Sequence, residues 1–224
     1  MLFKITLLFY KKDGNFFMNS NILLQFQNVT FGYEKPILQQ FNCSFSKEGI
    51  FCILGKSGCG KTTFFKLASG LLLPESGFIT HHAQKISFLF QENRLLPWFT
   101  VLENMLVVNK DKEYCISILE ELGLFHIEKK LPSALSGGML RRVALAKAIV
   151  YDGDIFLLDE PFVGIDLERK QQIISFLKQK LLHKLCFIIT HNIEEAVALS
   201  APFYALEKHC LKVVSPSQFV ESLH

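Results

Sequence analysis

A glycine-rich loop set between an apolar run and a helical segment constrains this chain more than any other feature. Residues 55–62 read Gly-Lys-Ser-Gly-Cys-Gly-Lys-Thr and match the pattern G-x-x-x-x-G-K-[ST]. The apolar run at residues 50–54 predicts a strand buried on both faces, and residues 62–69 have helical spacing. Because strand, loop and helix follow in the order that phosphate binding requires, we interpret residues 55–62 as a phosphate loop rather than a chance glycine-rich turn.

The residue types in the phosphate loop explain what it can bind. Glycines allow backbone N–H groups to converge on phosphate oxygens, and the following helix adds the positive end of its dipole. Lys61 is predicted to bring a positive charge to the β- and γ-phosphates and so to assist catalysis, and the Thr62 hydroxyl to bind Mg²⁺. The nucleotide-binding residues predicted in this segment are Gly55, Lys56, Ser57, Gly58, Cys59, Gly60, Lys61, Thr62 and Thr63.

An apolar strand that ends in two acids is the second chemical feature. Residues 155–158 are apolar, and Asp159 and Glu160 follow them directly. The carboxyl ends of strands are where α/β sheets bind ligands. Asp159 is therefore predicted to bind Mg²⁺, directly or through water, and Glu160 to polarise the attacking water. The alternative is a strand that simply ends in a solvated Asp-Glu turn. The presence of a phosphate loop in the same chain favours the catalytic interpretation over this alternative.

Alternating strand and helix patterns predict the fold class. An α/β domain with a mainly parallel sheet is expected where apolar strands alternate with helices. The predicted segments are helices at residues 138–150, 168–182 and 193–199 and strands at residues 155–158 and 186–190.

Two regions depart from this alternation. Before the phosphate loop, successive strand patterns predict an N-terminal antiparallel β subdomain, with strands at residues 22–26, 29–33 and 37–45. After it, residues 101–108 and 113–122 are helical in period, and we predict an inserted helical subdomain spanning about residues 92–150.

The ends of the domain are less defined by pattern. We expect an N-terminal extension at residues 1–20, with Met18 as an alternative start to Met1, followed by one domain at residues 21–224. Residues 1–10 lack the longer apolar core and the small-residue cleavage site of a secretory signal.

Bulk properties argue against other classes. The net charge of +3 is too small to indicate a nucleic-acid partner, and no apolar stretch reaches the roughly 18–20 residues that span a bilayer. The cysteines form no Cys-x-x-Cys pair, which leaves a zinc site without support and favours a reducing cytoplasm. These cysteines are Cys43, Cys52, Cys59, Cys115, Cys186 and Cys210.

A third motif narrows the class of phosphate-loop protein. Leu135-Ser136-Gly137-Gly138-Met139 resembles the LSGGQ signature of ATP-binding cassette (ABC) ATPases, and residues 142–148 continue like that family's signature helix. A Ser-Gly-Gly at a helix start can bind an anion or serve only as a helix cap. The resemblance implies that Ser136, Gly137 and Gly138 bind the nucleotide.

The resemblance assigns further positions. Tyr33 looks like the aromatic residue that stacks on adenine, and Gln91 like the glutamine that touches Mg²⁺ or water. Asp166 resembles the D-loop residue at the dimer interface, and His191 the switch histidine that holds the γ-phosphate and the catalytic glutamate. Gln91 and His191 are accordingly predicted to be catalytic. The resemblance covers about residues 21–207.

The resemblance also implies an assembly and a process. ABC ATPases form dimers, here a homodimer or a pair of related ATPases, in which Ser136 and Gly138 of one subunit face the nucleotide held by Lys61 of the other. The run at residues 91–104 is similar to ATPases that serve nitrate, sulfonate and taurine importers. We therefore expect an ATPase at the cytoplasmic face of the cell membrane that acts on a separate permease. Through that permease it would cooperate indirectly with an extracytoplasmic solute-binding protein.

The competing hypothesis is a soluble ABC ATPase with an assembly role, such as iron–sulfur cluster biogenesis. The segment Leu96-Pro97-Trp98 favours transport, because it suits a permease contact, although Trp98 and Phe99 could instead be ordinary core.

Some positions depart from the family pattern. Leu140-Arg141 stands where Arg-Gln is usual in the signature helix, and Asn192 stands where an acid commonly follows the histidine. Neither removes a predicted catalytic group. Cys59, inside the phosphate loop, is either a small residue that fits there or a reactive thiol, since helix N-termini and neighbouring cations activate cysteine.

Overall fold

The computed structural model describes residues 22–46 and 48–215. The N-terminal extension predicted for residues 1–20, with the alternative start at Met18, lies outside the described residues. Within the part of the chain that is described, no helix is long and apolar enough to cross a membrane.

A three-stranded antiparallel sheet is built by the first part of the chain. β1 (Leu24–Gly32) is its central strand, flanked by β2 (Pro36–Phe45) and β4 (Ser76–His81). The two strands predicted at residues 22–26 and 29–33 form one strand, β1, interrupted by a register shift. Asn28 has a left-handed φ of 50°, and its N–H donates to Asn42 Oδ1 at 3.0 Å. This bulge breaks the alternation, which is why the sequence pattern is split in two.

A six-stranded sheet forms the centre of the domain. Its strands are β3 (Gly49–Leu54), β5 (Ile86–Leu89), β6 (Ile155–Asp159), β7 (Leu185–Ile189), β8 (Phe203–Leu206) and β9 (Leu211–Val214). They lie in the order β5-β6-β7-β3-β8-β9, and all neighbouring strands are parallel except β8 and β9. The predicted α/β class with a mainly parallel sheet and a separate antiparallel sheet is therefore confirmed.

Four strands have no counterpart in the sequence prediction, namely β4, β5, β8 and β9. β5, β8 and β9 are only four residues long, too short for a clear period, and the side chains of β4 are mostly exposed. These strands form because a neighbouring strand offers hydrogen-bonding partners, a tertiary effect that local pattern does not carry.

Among the described residues, six α-helices connect these strands. They are α1 (Lys61–Ala68), α2 (Val101–Leu106), α3 (Lys112–Glu121), α4 (Gly137–Val150), α5 (Leu167–Lys180) and α6 (Ile193–Ala198), with a 3-10 turn at Pro132–Ala134. Most begin at a polar capping residue. Thr100 forms a capping box with Glu103 at the start of α2, and Asp111, Ser136, Asp166 and Asn192 cap the helices that follow them.

The six-stranded sheet separates two hydrophobic cores. Alternate residues of one strand point to opposite faces, so Phe156 and Leu158 of β6 join one core and Ile155 and Leu157 join the other. The first core contains residues from α2 to α6, and the second contains α1 together with the antiparallel sheet. The helix that follows the phosphate loop is thus packed between two sheets.

Phe64 on α1 links these layers. It is fully buried, and its ring stacks on Phe26 of β1 with centroids 4.8 Å apart. Its ring also meets Phe41 of β2 at 5.9 Å and Phe187 of β7 at 6.1 Å. One side chain therefore contacts both sheets from the helix that carries the phosphate loop.

We predict that Phe64→Ala lowers the free energy of unfolding by about 3–5 kcal/mol, because it removes a large buried ring and leaves a cavity between three elements. Denaturant titration followed by circular dichroism measures this change. Phe125→Ala is the matched control, since that ring is 57% exposed, and it should change the free energy of unfolding by less than about 0.5 kcal/mol. Equal midpoints for the two variants would contradict the linking role of Phe64.

Candidate active site

The phosphate loop needs glycine where the chain turns into α1. Gly60 precedes the helix with a φ of 105°, and a Cβ at this position would lie 2.3 Å from Ile37 Cγ2. Gly58 also has a positive φ, 81°. Side chains are excluded at Gly60 both by conformation and by the close approach of β2. The loop backbone is thereby held against the start of the antiparallel sheet.

Lys61 folds back over the phosphate loop. Its side chain is largely buried, and Nζ donates to the carbonyl oxygens of Gly55 at 2.8 Å and Lys56 at 3.0 Å. A positive charge held over a glycine-rich loop at a helix N-terminus gives this region the electrostatics of an anion site. The structure therefore brings together the residues predicted for phosphate binding.

Thr62 and Asp159 meet, although 97 positions separate them in sequence. Thr62 Oγ1 donates to Asp159 Oδ2 at 2.7 Å, and Asp159 is only 2% exposed. Burial raises the pKa of Asp159, while the hydrogen bond from Thr62 opposes that rise. A buried carboxylate beside a hydroxyl is a hard oxygen donor pair, the type of ligand that Mg²⁺ prefers. The two oxygens fit the predicted metal role.

Glu160 and His191 form the second pair. His191 Nε2 lies 2.8 Å from Glu160 Oε1, and both residues border a surface pocket together with Val163 and Asn192. Glu160 has a left-handed φ of 52°, and its N–H donates to Ile189 O at 2.9 Å. Non-glycine residues in this conformation are uncommon and concentrate at functional sites.

Arg141 on α4 joins two segments that the sequence analysis treated separately. It donates to the carbonyl oxygens of Phe90 and Gln91 on one side and of Asp159 and Glu160 on the other. It brings the backbone of Gln91 close to the acids, whereas the Gln91 side chain itself is exposed. In the sequence Arg141 is visible only as a departure from the family pattern, because four of its five acceptors are main-chain carbonyl oxygens, which no side-chain motif reveals.

The signature residues lie at the exposed start of α4. Ser136 and Gly137 are exposed, and Ser136 Oγ accepts from Met139 N at 3.3 Å. A Cβ at Gly138 would come within 2.3 Å of Gly164 O, so glycine allows the helix start to pack against the loop before α5. The capping role and the predicted nucleotide contact are compatible, because the loop leaves one side of Gly137 open.

Three further predicted residues have local roles in the fold. Asp166 Oδ1 accepts from Arg169 N at 2.9 Å, and this backbone hydrogen bond lowers the pKa of Asp166. Tyr33 is 64% exposed with its ring edge against Phe31, and Thr63 is buried in α1. Their nucleotide contacts remain predictions.

The sequence matches a known family and several known proteins. The model of the ABC transporter family matches residues 38–163. The formylaminopyrimidine import ATP-binding protein ThiZ of Halalkalibacterium halodurans is 37% identical over 194 residues, which cover 80% of this chain and 77% of that protein. The aliphatic sulfonates import ATP-binding protein SsuB 2 of Pseudomonas syringae pv. tomato is 36% identical over 169 residues, 73% of each chain.

The chain belongs to the ABC transporter family. The expected ABC ATPase is therefore confirmed, and so is ATP as its nucleotide. The fold agrees with a solved structure, the dimeric ATP-binding cassette MJ0796 bound to ADP and Pi, with a TM-score of 0.76. The two sequences are 24% identical, and the match covers 85% of this chain and 97% of that one. The roles of individual residues in this cassette stay predictions.

Cys59 differs from most of the other cysteines of the cassette. It is partly exposed, and its sulfur lies 3.9 Å from Lys61 Nζ, whereas Cys52, Cys115 and Cys186 are buried. Burial raises the pKa of Cys52 to about 12 and that of Cys186 well above its ordinary value. A thiol reagent should thus react slowly with these buried residues.

We predict that ATP slows the alkylation of Cys59 by N-ethylmaleimide and that alkylation abolishes ATP hydrolysis, because the adduct would fill the phosphate loop. Peptide mass spectrometry locates the adduct and a phosphate-release assay measures the activity. Cys59→Ser is the control and should keep its activity after the same treatment. Alkylation that ATP does not slow, or that leaves hydrolysis intact, would refute the reactive-thiol hypothesis.

Proposed function

We propose that this cassette is the ATP-hydrolysing subunit of an importer whose permease is a separate polypeptide. The contact between Glu160 and His191, next to the Thr62–Asp159 pair, carries the proposal for the reaction. The import ATP-binding proteins among its relatives support the direction of transport.

The phosphate loop binds and orients ATP. Backbone N–H groups of residues 55–62 and the N-terminus of α1 hold the phosphates, and Lys61 exchanges its bonds to Gly55 O and Lys56 O for phosphate oxygens. Tyr33 stacks on the adenine from the edge of the antiparallel sheet. Holding the phosphates in one geometry supplies much of the rate enhancement, because phosphoryl transfer needs positioning and charge stabilisation.

Mg²⁺ would be held by Thr62 Oγ1, Asp159 and Gln91. When bound, it neutralises negative charge on the phosphates as the terminal bond breaks. Burial disfavours the charged form of Asp159, and a bound cation would add to the opposing effects of the Thr62 hydrogen bond and of Arg141 and Lys61.

Glu160 polarises the attacking water, and His191 keeps the Glu160 carboxylate in place. The 2.8 Å contact restricts the carboxylate to one orientation, and general-base assistance of this kind contributes about 10²–10⁴-fold to a rate. His191 is 44% exposed at its side chain and can therefore also reach a γ-phosphate bound at the surface.

Two copies of the cassette form the complete site. Ser136 and Gly137 are exposed at the start of α4 and can meet a nucleotide held by a second subunit. Asp166 follows the loop that supports Gly138, so the same surface includes the D-loop. A twofold pair of such surfaces gives two composite ATP sites, from two identical chains or two related ones. ATP closes the pair, and loss of phosphate lets it open.

The exposed Trp98 supports a permease contact. Trp98 is 83% exposed and Phe99 41% exposed, so the alternative that they are ordinary core is wrong for this chain. Exposed aromatic residues of this size are typical of protein interfaces. We infer that this face receives the permease on the cytoplasmic side of the membrane and that an extracytoplasmic solute-binding protein supplies the solute. A small solute of the nitrate, sulfonate or taurine type, or a related organic compound, is the proposed cargo.

We predict that Glu160→Gln still binds ATP and traps the closed dimer, while hydrolysis falls by at least about 100-fold, because the site keeps its shape but loses the base. Gel filtration with ATP measures the dimer, and phosphate release measures turnover. Glu113→Gln, an acid in the first turn of α3, is the control with wild-type turnover. Wild-type hydrolysis in Glu160→Gln would refute the role of Glu160.

We predict that a tagged copy of this chain co-purifies with a multi-spanning permease from membranes in mild detergent, and that Trp98→Ala weakens this association. Quantitative mass spectrometry of the purified complex measures the ratio of the two proteins. Phe125→Ala removes another exposed ring and serves as the control. Co-purification with a soluble assembly protein, with none of the chain in membranes, would instead favour the assembly role.

A further inference from the structure

We propose that Arg141 is a positioning residue for ATP hydrolysis, which fixes the Gln91 loop (residues 90–93) against the backbone of Asp159 and Glu160. The proposal rests on the proposed roles of Gln91 and Glu160. Its guanidinium bonds to four main-chain carbonyls and to the Asn93 side chain, so it would act through the position of the catalytic side chains and not on the substrate itself.

The contacts of Arg141 divide between two segments. Nη1 donates to Phe90 O at 2.7 Å, to Gln91 O at 3.1 Å and to Asn93 Oδ1 at 3.2 Å, all in the Gln91 loop. Nε donates to Glu160 O at 3.0 Å, and Nη2 donates to Asp159 O. All three nitrogens of one planar group are used, which fixes the relative position of the two segments.

Arg141 is buried, and that makes its contacts obligatory. It is 3% exposed, and burial lowers the pKa of its guanidinium while Asp159 and Glu160 favour its charged form. A buried cation without partners is strongly destabilising, so the five carbonyl and amide acceptors are needed to keep it in place. The reverse also holds, because these acceptors lose a donor when the arginine is removed.

The Gln91 loop is also attached at its Phe90 end. β5 pairs with β6 up to Leu89 opposite Leu158, directly before the loop. The Phe90 ring stacks on Phe88 at 4.0 Å, and the Arg94 guanidinium lies over the Phe90 ring at 3.7 Å. Beyond this end, Arg141 ties the Gln91 carbonyl to the backbone of the acids.

Arg141 also lies on the helix that begins with the signature residues. Ser136 caps α4, and Arg141 follows five positions later in the same 14-residue helix. A displacement of the helix start by a second subunit would move the guanidinium and both attached segments together. Arg141 thereby gives the signature surface a direct mechanical link to the catalytic backbone.

This link differs from what the usual family residue could provide. Glutamine is usual at this position, and its amide offers two N–H donors, whereas a guanidinium offers five in a rigid fork. Two donors on one nitrogen cannot replace three nitrogens that face two segments. The resulting link is a property of this chain's sequence.

The test compares Arg141→Gln with Lys147→Gln, a matched control that removes a partly buried cation from the same helix without touching the catalytic segments. We expect Arg141→Gln to lower kcat for ATP hydrolysis by at least about tenfold, since small misplacements of catalytic groups have large effects. KM and the affinity for a fluorescent ATP analogue should change by less than about twofold. Lys147→Gln should keep the wild-type kcat.

Arg141→Lys is the second variant, in case Arg141→Gln does not fold. It keeps the cation but loses the planar fork, and its kcat should lie between that of Arg141→Gln and that of the wild type. Thermal denaturation with ADP shows whether each variant is folded. A kcat for Arg141→Lys equal to that of the wild type, in a folded protein, would overturn the proposal.

A double variant separates positioning from general support of the fold. In a Glu160→Gln background, Arg141→Gln should cause no further loss of single-turnover hydrolysis, because Gln91 and Glu160 are proposed to align the same attacking water and so act as a unit. An additional tenfold loss would overturn the proposal. If Glu160→Gln alone hydrolyses ATP like the wild type, the site assignment itself fails; if it is inactive while Arg141→Gln keeps the wild-type kcat, only the role of Arg141 fails.

Discussion

The parallel pairing of β3, β7 and β6 is the constraint on which the rest of the site depends. Its register sets Ile53 opposite Ile189, and Ile189 opposite Asp159. Because parallel strands end at the same edge, the phosphate loop, His191 and the two acids all follow this edge within a few residues. A shift of one residue in this register would turn every side chain of a strand to the other face and separate Thr62 from Asp159.

The sequence predicts this arrangement as far as local pattern reaches. Continuous apolar runs and the motifs that end them are enough to predict β3, β6, β7 and the chemistry at their ends, because fully buried strands need such runs. The role of Arg141 could not be predicted, since most of its partners are backbone carbonyls, the farthest 51 positions away in sequence. Strands such as β5 could not be predicted from the sequence for a similar reason, because they form through pairing with a neighbouring strand and not through their own composition.

Burial and charge are closely balanced beneath the site. Asp159 and Arg141 are both almost fully buried, and burial opposes ionisation of each. They remain compatible with the fold because each has hydrogen-bonding partners, and no buried side-chain nitrogen or oxygen lacks one among the described residues. Such a network is rigid, since loosening one contact exposes the desolvation penalty of another. Rigidity of this kind is what a reaction governed by positioning requires.

The left-handed backbone at Glu160 lowers the stability of the protein at a residue with a proposed catalytic role. A non-glycine residue in that conformation costs of order 1–3 kcal/mol, and the acid also brings charge into a half-buried position. Glycine or asparagine at position 160 would relieve the backbone, and under the role proposed for Glu160 it would also remove the carboxylate that polarises the attacking water. Selection for stability alone would therefore not favour a glutamate at this position.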